Sequence, residues 1–400
     1  MSLRKMKHAL TLFLMKTLAG LAPSPAYMVY LGGGSAAQLC RHIARSGVRK
    51  LLIVTDKPLR ELGIVDQATA ALAEAALPTV VYDGVEPNPT YAQVAAGRAL
   101  MLEHGCDAVL AIGGGSSIDA AKIIAASATS DEDPKTWVGF GKVKHEVPAL
   151  YAIPTTSGTG SEATMGAVIS DTVTHEKGVI SGATLLPAAV ALDSDLMLGM
   201  PAPITAATGM DALTHAIEAY ICVWDRGTRK QHASMAVQLI FAHLRDAVAD
   251  GSNREARDAM ALAAYYAGIA INQVNVGNVH AIAHQIGGKY GIPHGLANSL
   301  VLPHVLNFCR RESVNELAEL AVLAGVGESG QAPDRLAGQF IDAVVQLRAD
   351  VGIGETSDRI RAEDYGYLAD LALKECEGYP VPKLLERDAT LDILRAITAR

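Results

Sequence analysis

Strand-like runs stop half-way along this chain, and that asymmetry constrains its fold more than any other feature. Before residue 200, four short apolar runs have the length, β-branched content and flanking Gly or Pro of strands. They are "KLLIVTD" (Lys50–Asp56), "PTVVYDG" (Pro78–Gly84), "DAVLAIGGG" (Asp107–Gly115) and "ALYAIPTTS" (Ala149–Ser157). Helical stretches such as "DQATAALAEAAL" and "TYAQVAAGRALMLEHG" lie between them. Strand, helix, strand repeated in this way predicts a parallel sheet with helices on both faces. After about Met200 the pattern changes. "ITAATGMDALTHAIEAYICV", "RKQHASMAVQLIFAHLRDAVAD", "NREARDAMALAAYYAGIAINQ" and "ESVNELAELAVLAGV" read as helices, and no convincing strand follows. The expectation is an α/β domain over residues 1–200 and an all-helical domain over residues 201–400. The Pro- and Gly-bearing "DSDLMLGMPAP" (Asp193–Pro203) is the expected junction.

Composition narrows the function. Half of the 400 residues are apolar and only 5% aromatic, so abundant Ala and Gly point to closely packed helices. A net charge of -8 argues against a nucleic-acid surface, which needs clustered Lys and Arg. The five cysteines are scattered without a CxxC pair, which fits a reducing, cytoplasmic setting better than a disulfide framework or a cysteine zinc site. "RKMKHALTLFLMKTLAG" (Arg4–Gly20) has a basic start and an apolar run, somewhat like a signal peptide. Lys16 interrupts the run and no clean small-x-small site follows, so an amphipathic N-terminal helix is the expectation. No later segment reaches the ~20 apolar residues of a membrane span.

Two stretches in the first half suit a ligand. "IGGGSSIDAAK" (Ile112–Lys122) follows a strand and opens a helix. There, backbone N–H groups and a helix N-terminus can meet a phosphate, though a tight strand-to-helix turn explains the same residues. The stretch is not GxGxxG. "IPTTSGTGSE" (Ile153–Glu162) leaves the next strand as a run of hydroxyls and glycines, either a second ligand loop or a capped turn. The earlier "LGGGSAAQL" (Leu31–Leu39) has no partner loop and reads as a tight turn needed for folding. Asp56, at the end of a strand, suits an adenosine ribose and would disfavour a 2′-phosphate, though taken alone it reads first as an N-cap for the next turn.

In the second half, Asp211 and His215 lie at i and i+4 on one predicted helix, and His280 and His284 repeat that spacing on another. The second helix is expected to end near Gly287–Gly288, with His294 near the start of the next. Mixed Asp and His donors without cysteine suit a divalent first-row ion, iron or zinc. His232, His243 and His304 fit no such geometry. Neither HExxH nor GxSxG is present.

These motifs together resemble the iron-containing (group III) alcohol dehydrogenases. "IGGGSSIDAAK", "IPTTSGTGSE", "ATGMDALTHAIEAY" and "VHAIAHQIGGKYGIPHGLAN" carry the resemblance, which runs from about Val29 to beyond His304. It implies a dehydroquinate synthase-like architecture: a dinucleotide-binding α/β domain followed by a helical metal domain. It implies Fe2+, or Zn2+, on Asp211, His215, His280 and His294, with His284 as a proton-relay group beside the nicotinamide. NAD, more readily than NADP, would lie on Asp56 and Asn88 at its adenosine half and on Gly115 and Ser116 at its pyrophosphate, with Gly114 and Asp119 beside them. Thr155, Thr156, Thr164, Lys177, Leu196 and Met200 would line the rest. Gly166 departs from the bulkier residue of close relatives. The implied reaction is hydride transfer between a primary alcohol and its aldehyde, in a homodimer or larger homo-oligomer. Glycerol dehydrogenase, a hydroxyacid–oxoacid transhydrogenase and 3-dehydroquinate synthase are the alternatives on the same fold.

Overall fold

A computed structural model describes residues 8, 10, 12, 28–172, 177–224 and 227–399. The chain divides into two compact units, residues 23–200 and residues 201–400 joined by residues 1–22. The expectation for Arg4–Gly20 falls largely outside the described residues. Three of its residues, His8, Leu10 and Leu12, are helical, and Leu12 sits in the core of the second unit.

The first unit runs β1 (Met28–Leu31), α1 (Ser35–Arg45), β2 (Leu51–Val54), α2 (Lys57–Glu61), α3 (Ile64–Glu74), β3 (Thr79–Tyr82), α4 (Tyr91–Glu103), β4 (Ala108–Gly113), α5 (Gly115–Ser127), β5 (Gly139–Phe140), β6 (Ala149–Pro154), β7 (Gly166–Ser170), β8 (Lys177–Ser181) and β9 (Ala189–Leu192). Six strands form one sheet in the order β1-β9-β6-β4-β2-β3, and every pairing is parallel. Every residue of β2 and β4 is buried, because both faces of a parallel sheet are covered. That is why these strands read as unbroken apolar runs. On one face, Leu39 and Ile43 of α1 and Leu72 of α3 pack over Leu51, Ile53, Leu110, Ile112 and Ile153. β5, β8 and β7 form a separate three-stranded sheet.

The early glycine loop follows a strand, β1, at the edge of the main sheet. Its helix end is nevertheless closed from within the protein. The buried Asp193 carboxylate accepts from Gly34 N–H (3.1 Å), Ala36 N–H (2.9 Å) and Asp195 N–H (3.1 Å). An internal anion thus occupies the place where α1 would otherwise meet a ligand anion. Asp193→Ala is expected to destabilise the protein by about 1–3 kcal/mol in a denaturant titration, since it strands buried N–H donors. Bound metal should not change.

The second unit contains α6 (Ala202–Ile221), α7 (Arg229–Ala249), α8 (Arg254–Val274), α9 (Asn278–Tyr290), α10 (His294–Cys309), α11 (Val314–Leu323), α12 (Pro333–Asp350), α13 (Tyr365–Glu375) and α14 (Arg387–Ala396). No sheet strand occurs among its described residues. Small side chains let α6, α7 and α8 pack closely: Ala212, Ala216, Ala219, Ala236, Ala263 and Ala267 are fully buried in the shared core. None of the described helices is long and apolar enough to cross a membrane.

Candidate metal centre and nucleotide loops

Helix periodicity places Asp211 and His215 one turn apart on α6, both buried. His280 lies in the first turn of α9 and is buried, and His294 is the first residue of α10 and partly exposed. One donor atom from each of the four falls within 4.8 Å of the others. The His215 and His280 rings stack at 4.7 Å, and His294 lies 5.3 Å from His280. Burial, then the neighbouring His215, His294 and His284, holds the His280 imidazole well below its ordinary pKa. A neutral imidazole is the form that binds metal.

The polar atoms here fit a cation. The Asn298 side-chain NH2 lies 2.6 Å from Asp211 Oδ1, 3.1 Å from His280 Nε2 and 3.2 Å from His294 Nε2. The amide has two N–H bonds for three neighbouring polar atoms, so it cannot serve all of them at once. Asp211, buried among imidazoles, needs a positive partner. Oxygen and nitrogen donors without sulfur suit ferrous iron or zinc.

α9 does not end near Gly287–Gly288 as expected. It continues to Tyr290 and stops at Gly291, which is left-handed at φ 64°. Tyr290 and Lys289 both bond Asp364, at 2.7 and 3.0 Å, and these contacts hold the last turn against the glycines' preference.

His284 lies beside the cluster rather than in it. Its ring stacks on His294 at 5.4 Å, and its Nδ1–H donates to Glu375 Oε1 at 2.6 Å. Glu375 also accepts from Gln285 Nε2 (2.5 Å) and Tyr379 OH (2.6 Å). Burial alone would raise this carboxyl, but His284, Tyr379 and Gln285 hold it below its ordinary value.

In the first unit, Asp56, Gly114 and Thr155 follow the adjacent strands β2, β4 and β6 at their carboxyl ends. The chain reverses direction across the sheet between β2 and β4, the place where such sheets bind ligands. Asp56 is an N-cap: its Oδ1 accepts from Leu59 N–H at 2.9 Å, and burial raises its carboxyl against that bond. Gly114 is the N-cap of α5 and has no side chain to cap it, and among the described residues no side chain closes this helix end as Asp193 closes that of α1. Gly115 and Ser116 form the first turn. Thr155 N–H donates to Gly113 O at 3.0 Å, which joins the two loops side by side.

Beneath them, buried Lys122 donates to Ser161 O (2.8 Å), Ser161 Oγ (3.1 Å), Thr164 Oγ1 (3.2 Å) and Gly166 O (2.5 Å). Asp119 accepts from Ser161 Oγ (2.5 Å) and Val168 N–H (2.9 Å). Asp119 and Thr164 are therefore part of the tie between the loops. Thr156 faces Gly114 across the loop pair. Asn88, left-handed at φ 58°, accepts from Lys177 Nζ at 2.9 Å, so these two come together. Leu196 is buried in the core with the strands, and Met200 closes a turn onto Met197 O.

Two family profiles match nearly end to end. One, described as iron-containing alcohol dehydrogenase, covers residues 26–194. The other, the C-terminal part of the Fe-containing alcohol dehydrogenase family, covers residues 205–398. The chain belongs to the iron-containing alcohol dehydrogenase family. The 1,3-propanediol dehydrogenase of Citrobacter freundii is 40% identical, over 87% of this chain and 91% of that one. The NAD-dependent methanol dehydrogenase of Bacillus methanolicus is 36% identical, over 86% and 91%. A solved 1,3-propanediol oxidoreductase superposes with a TM-score of 0.89 at 38% identity, over 92% of this chain and 97% of that one.

As an iron-containing alcohol dehydrogenase, this chain has three polar residues at its centre that sequence reasoning missed: Glu218, Asn298 and Glu375. Glu218 accepts His280 Nδ1–H at 2.6 Å. A glutamate inside the apolar "THAIEAY" was a visible signal for it. Asn298 sits four residues after His294 on α10, the same face one turn on. Glu375 lies 91 residues from His284, and nothing local to His284 marks it.

Proposed function

We propose that this enzyme interconverts a small primary alcohol and its aldehyde with NAD as hydride acceptor and donor. In this reading the unit of residues 201–400 forms the metal domain and residues 23–200 the dinucleotide domain, a later start than the expected residue 1. The observation that carries it is the convergence of Asp211, His215, His280 and His294 within 4.8 Å in an apolar helical core. These four would hold Fe2+, with Zn2+ the other ion their donor set suits. When bound, the metal supplies Lewis acidity to the substrate oxygen.

The chain's own residues supply the rest. His284 keeps its Nδ1 proton on Glu375, which leaves the Nε2 lone pair to take up the alcohol proton and pass it on. The uncapped first turn of α5, with Gly114, Gly115 and Ser116, would bind the pyrophosphate. Asp56 and the Asn88–Lys177 pair would meet the adenosine half. A carboxylate at Asp56 would repel a 2′-phosphate and so favours NAD over NADP. Thr155, Thr156, Thr164, Leu196 and Met200 would line the remainder, with Asp119 supporting the loops. The relatives' names point to short alcohols and diols. A homodimer or larger homo-oligomer is supported by the exposed Met28 and Leu31 on edge strand β1. Five free cysteines support a cytoplasmic setting.

The test strips the protein with a chelator, restores Fe2+ or Zn2+, and follows NADH absorbance with ethanol through hexanol and 1,3-propanediol. NADH should form only after metal is restored. Absence of a metal-dependent signal with every alcohol and aldehyde would overturn the reading.

A further inference from the structure

We propose that Glu218 is a positioning residue for the metal centre, fixing the His280 ring by anchoring it to the N-terminus of its own helix. The proposal rests on the reading above that His280 is a metal ligand.

The geometry is closed on all sides. Glu218 lies three residues after His215 and seven after Asp211, so α6 presents all three on one face. Its carboxylate is buried, with 3% of the side chain exposed. It reaches across to the start of α9, where the N-cap Gly277 offers no side chain of its own. Oε2 accepts Gly277 N–H at 2.7 Å, and Oε1 accepts Val279 N–H at 2.6 Å. These bonds satisfy donors that every helix leaves open at its first turn. The third bond goes beyond capping: Oε2 also takes His280 Nδ1–H at 2.6 Å.

That bond sets which nitrogen faces the cluster. With its proton on Nδ1, His280 turns an Nε2 lone pair toward Asn298 Nδ2, 3.1 Å away. The amide is a donor, so it requires the same tautomer independently. A carboxylate on the far nitrogen orients a metal-binding histidine and makes it a stronger donor. Burial pushes the Glu218 carboxyl up, and the backbone N–H groups of Gly277, Val279 and His280 oppose that rise. Three N–H donors on two oxygens match a carboxylate and would not match an amide.

Gly277 belongs to the same device. A Cβ there would lie 2.8 Å from Glu218 Oε1 and 3.0 Å from its Cδ, too close without displacing the carboxylate. The two residues therefore give two routes to the same loss.

The experiment compares wild type, Glu218→Gln and Gly277→Ala. Metal affinity is read by competition with a chromophoric chelator, the visible spectrum after Co2+ loading, and melting of the metal-free protein by circular dichroism. Both variants are expected to bind Zn2+ about 10–100-fold more weakly, with an altered Co2+ spectrum and a fall in metal-free melting, from the disturbed cap bonds, too small to account for that loss. Wild-type affinity and spectrum in either folded variant would overturn the proposal. So would a fall in affinity that merely tracks a fall in metal-free stability. If Glu218→Gln does not fold, Gly277→Ala decides. A wild type that binds no metal would instead refute the metal-centre reading, so the two failures are distinguishable.

Discussion

His280→Ala is expected to lose bound metal and to cut alcohol oxidation by about a thousandfold or more. The loss follows from position. His280 is the most enclosed imidazole of the cluster, packed between His215 at 4.7 Å and His294 at 5.3 Å. The other histidine of α9, His284, is not among the four residues whose donor atoms fall within 4.8 Å of one another. Lewis-acid assistance is worth several kcal/mol, and each ~1.4 kcal/mol is tenfold in rate. Elemental analysis should find the purified variant far below one metal per chain. NADH binding, read by fluorescence, should stay near wild type, because the proposed nucleotide loops lie in the other unit. Full metal content in the variant would remove His280 from the ligand set.

Legibility in the sequence followed from how local each signal was. β2, β4 and β6 could be read because strands buried on both faces cannot alternate, and "LLIV", "AVLAIG" and "ALYAIP" are continuous. β9 was missed although it lies beside β6 in the main sheet, since "AVAL" is four residues long and half alanine. β1 was missed because "MVYL" is short and only partly covered at the sheet edge. The small sheet was invisible: β5 has two residues, and β7 and β8 contain glycine. Periodicity also misplaced the end of α9, which Asp364 from the distant C-terminal region extends.

The site divides along the same line. Asp211 with His215, and His280 with His294, could be paired from spacing and resemblance because each pair is close in sequence. Their partners could not. Asn298 earns its place only once α6, α9 and α10 converge, and Glu375 only once α13 meets α9. Asp119 shows the converse. The resemblance puts it beside the cofactor, and the structure shows its carboxylate bound to Ser161 and Val168. A nucleotide loop needs internal support as much as it needs ligand contacts, and sequence alone does not separate the two.

Adjacent glycines of the α5 loop make the sharpest contrast. A Cβ on Gly115 would fall 2.8 Å from both Cγ2 and Oγ1 of Thr159. Thr159 cannot easily yield, since its Oγ1 accepts from Ser161 N–H at 3.2 Å and Ser161 is held by Lys122 and Asp119. Gly115→Ala must therefore push the two loops apart. A loss of NADH affinity of about tenfold or more is expected, since losing about 1.4 kcal/mol of backbone–phosphate hydrogen bonding is a factor of ten. A Cβ on Gly114 meets nothing closer than Thr156 Oγ1 at 3.5 Å, an ordinary contact, and its φ of -75° suits alanine. Gly114→Ala should fold with its loops in place, so any loss of NADH affinity there reports the ligand's own approach to the backbone. Calorimetric titration of both variants checks the pair. Wild-type affinity in Gly115→Ala would mean that the dinucleotide does not use this loop, and the even choice between a phosphate cradle and a plain turn would then fall to the turn.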